Sequence, residues 1–259
     1  MAAGAPMKGG IGTYSYANNS QRQREEYDSA KNLIKHVLIQ NLDVKSLVSS
    51  GNAFTIADLG CSIGPNTFLA MENIIDGVGE KYDIQGHNPT NLEFQVFFND
   101  RVANDFNSLF ASLPVDKRYY AAGVAGSFWG RLFPDSSICV AYSSFALQWL
   151  SKIPKELVDK ESPAWNKGKI HYTGRGAKKE VVGAYAAQFE QDMDAFLNAR
   201  GMEIVRGGMI VILIPGVADG VVAHSSGVAL TFLESNLCDM VKESNKCRKS
   251  LRKMGVSAC

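Results

Sequence analysis

Two carboxylates, Asp58 and Asp100, each stand at the end of an apolar run, and the first leads directly into a loop carrying Gly60 and Gly64. Phe54-Thr55-Ile56-Ala57 predicts a buried strand, the two glycines let backbone approach a ligand closely, and Pro65 suits the first turn of a following helix. Phe94-Gln95-Val96-Phe97-Phe98-Asn99 predicts a second buried strand. Asp100 then falls where doubly wound sheets place a carboxylate that accepts from ribose hydroxyls. Two acid-terminated strands in series point to a nucleotide-like ligand more specifically than a glycine loop does. The loop lacks the G-x-G-x-x-G order of a dinucleotide site, and no G-x-x-x-x-G-K-[ST] is present for a nucleoside triphosphate. A ligand with adenine and ribose but no phosphate fits better, and S-adenosylmethionine has that chemistry.

The elements that must hold these acids alternate. Ala30, Leu33, Ile34, Val37, Leu38 and Leu42 recur at three and four residues and predict an amphipathic helix from Gln21 to about Ser50. Phe68, Met71, Ile74, Ile75 and Val78 give the crossover helix after the first strand. A loop at Gly86-His87-Asn88-Pro89 precedes the second strand, and Val102 to Leu113 reads as a short helix. Further strands are predicted at Arg118 to Val124, Ser137 to Tyr142 and Gly208 to Ile214. A long helix spans Glu180 to Val205 with Val181, Tyr185, Phe189, Met193, Phe196 and Leu197 on one face. Such alternation predicts a parallel sheet with ligands at the carboxyl ends of its strands. The Pro- and Gly-containing stretch from Leu150 to Lys178 breaks the pattern and stands where a substrate lid is expected.

With 259 residues, 46% of them hydrophobic, the chain can bury a sizeable core, and one α/β domain with or without a cap is expected. A net charge of +1 gives no general attraction to nucleic acid or to an anionic membrane. The five cysteines (Cys61, Cys139, Cys238, Cys247, Cys259) lack C-x-x-C spacing, which argues against a disulfide framework and for a reducing compartment, the cytoplasm. Met1 to Gly10 lacks the apolar core of a signal peptide and reads as a lead-in. Met209 to Ile214 is too short to cross a bilayer and reads as a core strand.

Met7-Lys8-Gly9-Gly10, Tyr16-Ala17-Asn18-Asn19-Ser20, Asp58-Leu59-Gly60-Cys61-Ser62-Ile63-Gly64-Pro65-Asn66-Thr67, Asn99-Asp100, Gly126-Ser127-Phe128-Trp129-Gly130 and Trp149-Leu150-Ser151-Lys152-Ile153-Pro154 resemble, in order, the plant SABATH methyltransferases. The resemblance runs from Met7 to about Lys242. It implies a Rossmann-like class I methyltransferase fold, a mostly parallel doubly wound sheet with helices on both faces and a partial helical cap. It divides the chain into a lead-in and cap helix (1–50), a methyltransferase domain with the lid insertion (51–242) and a tail (243–259). It further implies S-adenosylmethionine as cofactor, surrounded by Tyr16, Ser20, Asp58, Gly60, Cys61, Asn66, Asp100, Arg101, Ser127 and Phe128. Asp100 would accept from the ribose hydroxyls, Ser127 and Phe128 would hold and cover adenine, and Cys61 and Asn66 would lie beside the methionine part. Arg101 replaces a leucine common in the family. A homodimer is a further family expectation.

For the acceptor, the resemblance points to Gln23 and Trp149, an amide and an indole whose N–H groups can hold the two oxygens of a carboxylate, with Tyr16 beside them. A carboxylic acid is ionised at pH 7, so its methylation needs in-line approach and a dry pocket but no general base. The four histidines (His36, His87, His171, His224) form no cluster in sequence. Phe145 and Gln148 stand where many relatives carry tyrosine and histidine or methionine. Loss of the phenol oxygen favours a carboxylate with an apolar body over a hydrogen-bonded xanthine. The segments around Lys152 to Glu156 and Asn166 to Gly174 look most like the loganate methyltransferase branch.

After Lys242 the family pattern stops. The acidic-aromatic-asparagine motif and the last two strands are absent, and Glu243 to Cys259 is a basic tail that reads as a frame shift, a retained intron or a mis-set gene model rather than a nucleic-acid-binding tail. Of the family's magnesium ligands, Asn166 alone is matched, which predicts an incomplete metal site. Such a chain could also be an inactive fragment that binds cofactor weakly or partners a full-length relative.

Overall fold

A computed structural model of the chain describes residues 7–48, 53–166, 178–216, 232–233 and 235–244. By contact the chain divides into two units, one built from the chain up to Lys152 together with Glu190–Pro215, the other from Ile153–Phe189 and the described residues beyond Gly216.

The first unit is a five-stranded sheet in the order β3-β2-β1-β4-β5, from β1 (Phe54–Leu59), β2 (Phe94–Asp100), β3 (Tyr120–Ala125), β4 (Ile138–Ser144) and β5 (Ile204–Leu213). Every pairing is parallel, as the strand–helix alternation predicts. β1 and β4 are almost wholly buried, which is why they read as unbroken apolar runs. The chain builds outward from β1 through β2 to β3, then returns to lay β4 on its other side. The carboxyl ends of β1 and β4 therefore flank the point where strand order reverses, the place where open α/β sheets bind ligands.

On one face, α2 (Gln21–Asn41), α4 (Pro65–Ile84) and α5 (Phe106–Ala111) bury Ile34, Leu38, Phe68, Met71, Ile74, Ile75, Val78 and Leu109 against Ile56, Val96, Phe98 and Val140. The short α1 (Tyr16–Asn19) precedes α2. On the other face, Phe196 of α6 (Lys179–Glu203) packs with Ala57, Leu59, Phe133, Ile138 and Leu147. Burying one such side chain stabilises the fold by about 1.5–3 kcal/mol.

Three sequence expectations need correction. The first helix stops at Asn41 rather than near Ser50, because Leu42 turns to extended backbone and Asp43 starts a separate short helix, α3 (Val44–Val48), by accepting from the Ser46 amide and hydroxyl. Leu33, assigned to the buried stripe, is 65% exposed. The last strand begins at Ile204, four residues before Gly208, and its register against β4 shifts between Ile138 and Val140. Gly207 sits at the shift with φ of 85°, a conformation suited to glycine.

The second unit contains a 3-10 turn at Lys155–Leu157 and the first part of α6, joined by a small core of Leu157, Ala164 and Val181. Of the predicted lid, residues 167–177 lie outside the described residues, as does the tail from 245 onward. Among the described residues no helix is long and apolar enough to cross a membrane.

Candidate active site at the strand-order reversal

A cavity opens where β1 and β4 end. Its lining includes Tyr16, Gln23, Tyr27, Asp58, Gly60, Cys61, Asn66, Thr67, Tyr142, Ser144 and Phe145. Tyr16, Gln23 and Tyr27 come from α1 and α2, Asp58 from β1, Asn66 and Thr67 from the first turn of α4, and Tyr142 and Ser144 from β4. Pro65 at the first turn of α4 and Gly64 at φ 100° make the sharp exit that the sequence predicts. A side chain at Gly60 would overlap the Ala146 methyl and touch the Phe128 ring, so the loop lies against the β4 and Ser127–Phe128 segments as only glycine allows.

Asp58 is buried and takes a short hydrogen bond from the Thr67 hydroxyl. Burial lifts its carboxyl to about 7, opposed by Thr67 and reinforced by the charge of Asp100. Asp100 accepts from the Ser62 amide and the Arg101 amide, each at 2.7 Å. Burial still raises its pKa against those two bonds. Each oxygen of Asp100 keeps a free lone pair, so it can receive two further donors.

Asn66 donates to the carbonyl and hydroxyl of Ser20 at 3.1 and 3.0 Å and thereby ties α4 to the start of α2. Burial, then the charge of Asp58, raises the Tyr16 phenol. Cys61 is buried, and burial drives its thiol well up, so it is an apolar wall rather than a nucleophile. Ser127 and Phe128 follow β3. The Asp100 carbonyl accepts from the Gly126 amide at 2.9 Å and holds that turn beside the second acid. The structure thus gathers Tyr16, Gln23, Asp58, Gly60, Cys61, Asn66 and Phe145 around one cavity, with Ser20 bonded to its wall and Asp100, Arg101, Ser127 and Phe128 next to it.

Two acceptor candidates, Gln148 and Trp149, sit on the loop that Phe145 opens, outside the cavity's own lining. Trp149 is 59% exposed and is not among the residues lining the cavity. Gln148 donates to the Phe145 carbonyl at 2.7 Å, while its own carbonyl oxygen is buried without a partner among the described residues. Phe145 adopts φ of 52°, an unusual conformation for a bulky residue, fixed by donation of its amide to the Leu213 carbonyl at 2.9 Å. Asn166 belongs to the second unit, where its amide donates to the Leu157 carbonyl at 3.1 Å. Among the described residues no group of three or more His, Cys, Asp or Glu could hold a metal ion.

Sequence reasoning missed Tyr27, Thr67, Tyr142 and Ser144. The first pair sit within helical apolar patterns and the second within a strand whose burial hides its polar atoms. The Tyr142 hydroxyl is buried and makes no hydrogen bond of full geometry among the described residues; burial raises the phenol's pKa, with Ser144 near enough to oppose part of that rise.

An S-adenosyl amino acid fits these groups. A buried acid beside a phenol hydroxyl with no partner offers a charge for an ammonium and a donor for a carboxylate. A glycine cradle and a second acid with spare lone pairs suit an adenosine.

The comparisons with known proteins agree. Residues 3–250 match the SAM dependent carboxyl methyltransferase family. Loganic acid O-methyltransferase of Catharanthus roseus is 48% identical over 243 residues, 92% of this chain and 64% of that enzyme. Farnesoic acid carboxyl-O-methyltransferase of Arabidopsis thaliana is 40% identical over 245 residues, 94% of this chain and 68% of that enzyme. Among solved structures, a loganic acid methyltransferase with SAH superposes at a TM-score of 0.86 and 47% identity, covering 92% of this chain and 67% of that one. The chain thus spans about two thirds of the length of these relatives. With residues 3–250 of its 259 matching the family, and a parallel α/β sheet like that of the solved relative, the chain belongs to the SAM-dependent carboxyl methyltransferases.

Proposed function

We propose that this protein methylates the carboxylate of a small plant acid with S-adenosylmethionine as methyl donor. The observation that carries the reading is the convergence of Asp58, Gly60, Asn66 and Gln23 on one cavity at the strand-order reversal, next to Asp100 and Phe128. When bound, S-adenosylmethionine supplies a methyl group on a sulfonium, the electrophile of an in-line displacement.

The chain's own residues bind and orient. Asp100 takes the ribose hydroxyls with the lone pairs left after Ser62 and Arg101. Phe128 and Ser127 hold the adenine, and Asp58, Cys61, Ser20 and Asn66 surround the amino-acid part. Gln23 and Trp149 donate to the acceptor's two oxygens, with Tyr16, Phe145 and Gln148 shaping the rest of its site. No residue need remove a proton, because the acid arrives ionised.

The identity to loganic acid O-methyltransferase and to farnesoic acid carboxyl-O-methyltransferase supports a plant carboxylic acid as acceptor, and Phe145, without a phenol oxygen, favours one with an apolar portion. A reducing compartment, the cytoplasm, is supported by the lack of C-x-x-C spacing and by Cys61, Cys139 and Cys238 being free thiols among the described residues. A homodimer is assigned from the resemblance alone. Calorimetric titration with S-adenosylhomocysteine, followed by methyl transfer to a panel of acids headed by loganic and farnesoic acid, tests the reading. Absence of binding at millimolar ligand would overturn the cofactor assignment, and binding without transfer to any acid would overturn the enzyme assignment.

A further inference from the structure

One face of α6 carries side chains that a helix would normally turn to solvent. Asp192, Arg200 and Glu203 are 4%, 1% and 1% exposed, and Phe196 among them is fully buried. Spacings of four, four and three residues put 192, 196, 200 and 203 on one stripe. Burying ionisable groups costs several kcal/mol each unless their hydrogen bonds are met, so what these groups bond decides why they are there.

They bond two loops. Asp192 directs both oxygens at Ser151, accepting its amide at 2.8 Å and its hydroxyl at 2.6 Å, two residues beyond Trp149. Arg200 donates to the Phe128 carbonyl at 2.8 Å and the Gly130 carbonyl at 2.9 Å. Glu203 accepts from Arg200 through one oxygen at 2.8 Å, and its other oxygen accepts the amides of Leu132 and Phe133. Phe196 lies edge-on to Phe128 and Trp129, each at 6.3 Å. Both loops lack regular secondary structure, so side-chain bonds of this kind are what can fix them. All these residues fall within the first unit.

We propose that α6 is a positioning splint, in which Asp192 fixes the acceptor loop at Trp149 while the Arg200–Glu203 pair fixes the adenine loop at Phe128, so that one rigid helix sets the separation of the two. What each loop holds rests on the function proposed above. The bracing itself does not. A helix rises about 1.5 Å per residue, so the two anchors stand roughly 12 Å apart along an element that does not stretch. Methyl transfer tolerates little misplacement of donor and acceptor, which is the use such a fixed span would serve.

Arg200→Lys keeps a positive charge beside Glu203 but loses the fork that reaches two carbonyls. Asp192→Asn keeps volume and loses one acceptor. Both variants, with the parent, are read by hydrogen–deuterium exchange and by titration with S-adenosylhomocysteine. Arg200→Lys is expected to speed exchange in 127–133 by about tenfold and weaken the ligand by about tenfold, with 149–151 unchanged. Asp192→Asn is expected to speed exchange at Ser151 and leave ligand affinity within about twofold. Loosening of both loops by either variant, or of neither loop by both, overturns the splint. Glu203→Gln, read in the same way, decides the adenine arm if Arg200→Lys does not fold. If the parent binds no S-adenosylhomocysteine, the cofactor reading fails and the exchange pattern alone decides the bracing.

Discussion

Asp58 and Tyr142 are register partners across the β1–β4 ladder, a buried carboxyl beside a buried phenol whose hydroxyl has no partner among the described residues. Side chains paired in this way share one face of the sheet, here the face that floors the cavity. An acid and an unspent donor side by side match the ammonium and carboxylate of an α-amino acid.

Tyr142→Phe is therefore expected to leave the melting temperature unchanged or slightly raised, since no hydrogen bond within the fold is lost. Affinity for S-adenosylhomocysteine should fall about tenfold, the value of one hydrogen bond to a charged group. Affinity for methylthioadenosine, which lacks the amino-acid tail, should not move. Equal losses for both ligands would place the hydroxyl elsewhere.

Asp58 makes ligand binding pH-dependent. Its folded pKa of about 7 lies above the unfolded value, so between about pH 4 and 7 the folded state holds the extra proton and stability falls as pH rises. An ammonium seated against Asp58 favours the ionised form. S-adenosylhomocysteine should then bind more tightly as pH passes from 6 to 8, with proton release seen by calorimetry in buffers of different ionisation enthalpy. Asp58→Asn should abolish the proton release and make the unliganded protein more stable than the parent at pH 8. A pH-independent affinity in the parent would sink this account.

Asp100 accepts from the Ser62 and Arg101 amides, so its removal acts on the loop as well as on the ligand. Asp100→Ala should weaken S-adenosylhomocysteine by a few kcal/mol, about 2–4, whereas Asp100→Asn, which keeps one acceptor, should cost less. Titration of both variants checks the order. Parent-like binding by Asp100→Ala would remove the second strand from the site.

Two glycines should respond in opposite directions. Gly60→Ala combines a φ of 87° with overlap of the Ala146 methyl and should destabilise by about 1–3 kcal/mol while closing the cradle. Gly183→Ala lies in α6 with nothing near the added carbon and should stabilise by about 0.5–1 kcal/mol. Denaturant melts of both variants decide.

What the sequence makes legible is what repeats locally. β2 ends where its apolar run meets Asp100, and the buried stripe of α4 is the predicted one, because burial there is by neighbours of the same chemical kind. α6 was not legible. Phe189 and Leu197, assigned to its buried face, are 37% and 46% exposed, while Asp192, Arg200 and Glu203 are buried. Their partners are backbone groups of loops some 41 to 72 residues earlier, and periodicity carries no trace of bonds at that range. Trp149 marks the other boundary, since a motif can name a residue without saying where its side chain stands.

The Trp129 indole lies 4.8 Å from the Phe128 ring and 6.3 Å from Phe196, in the segment that Arg200 and Glu203 hold. Any ligand that settles against Phe128 must alter the surroundings of this one indole, whose emission colour depends on local polarity and quenching. The protein therefore carries its own optical reporter for the adenine end of the site, with Trp129→Phe as the control that isolates its signal from the emission of Trp149 and Trp165.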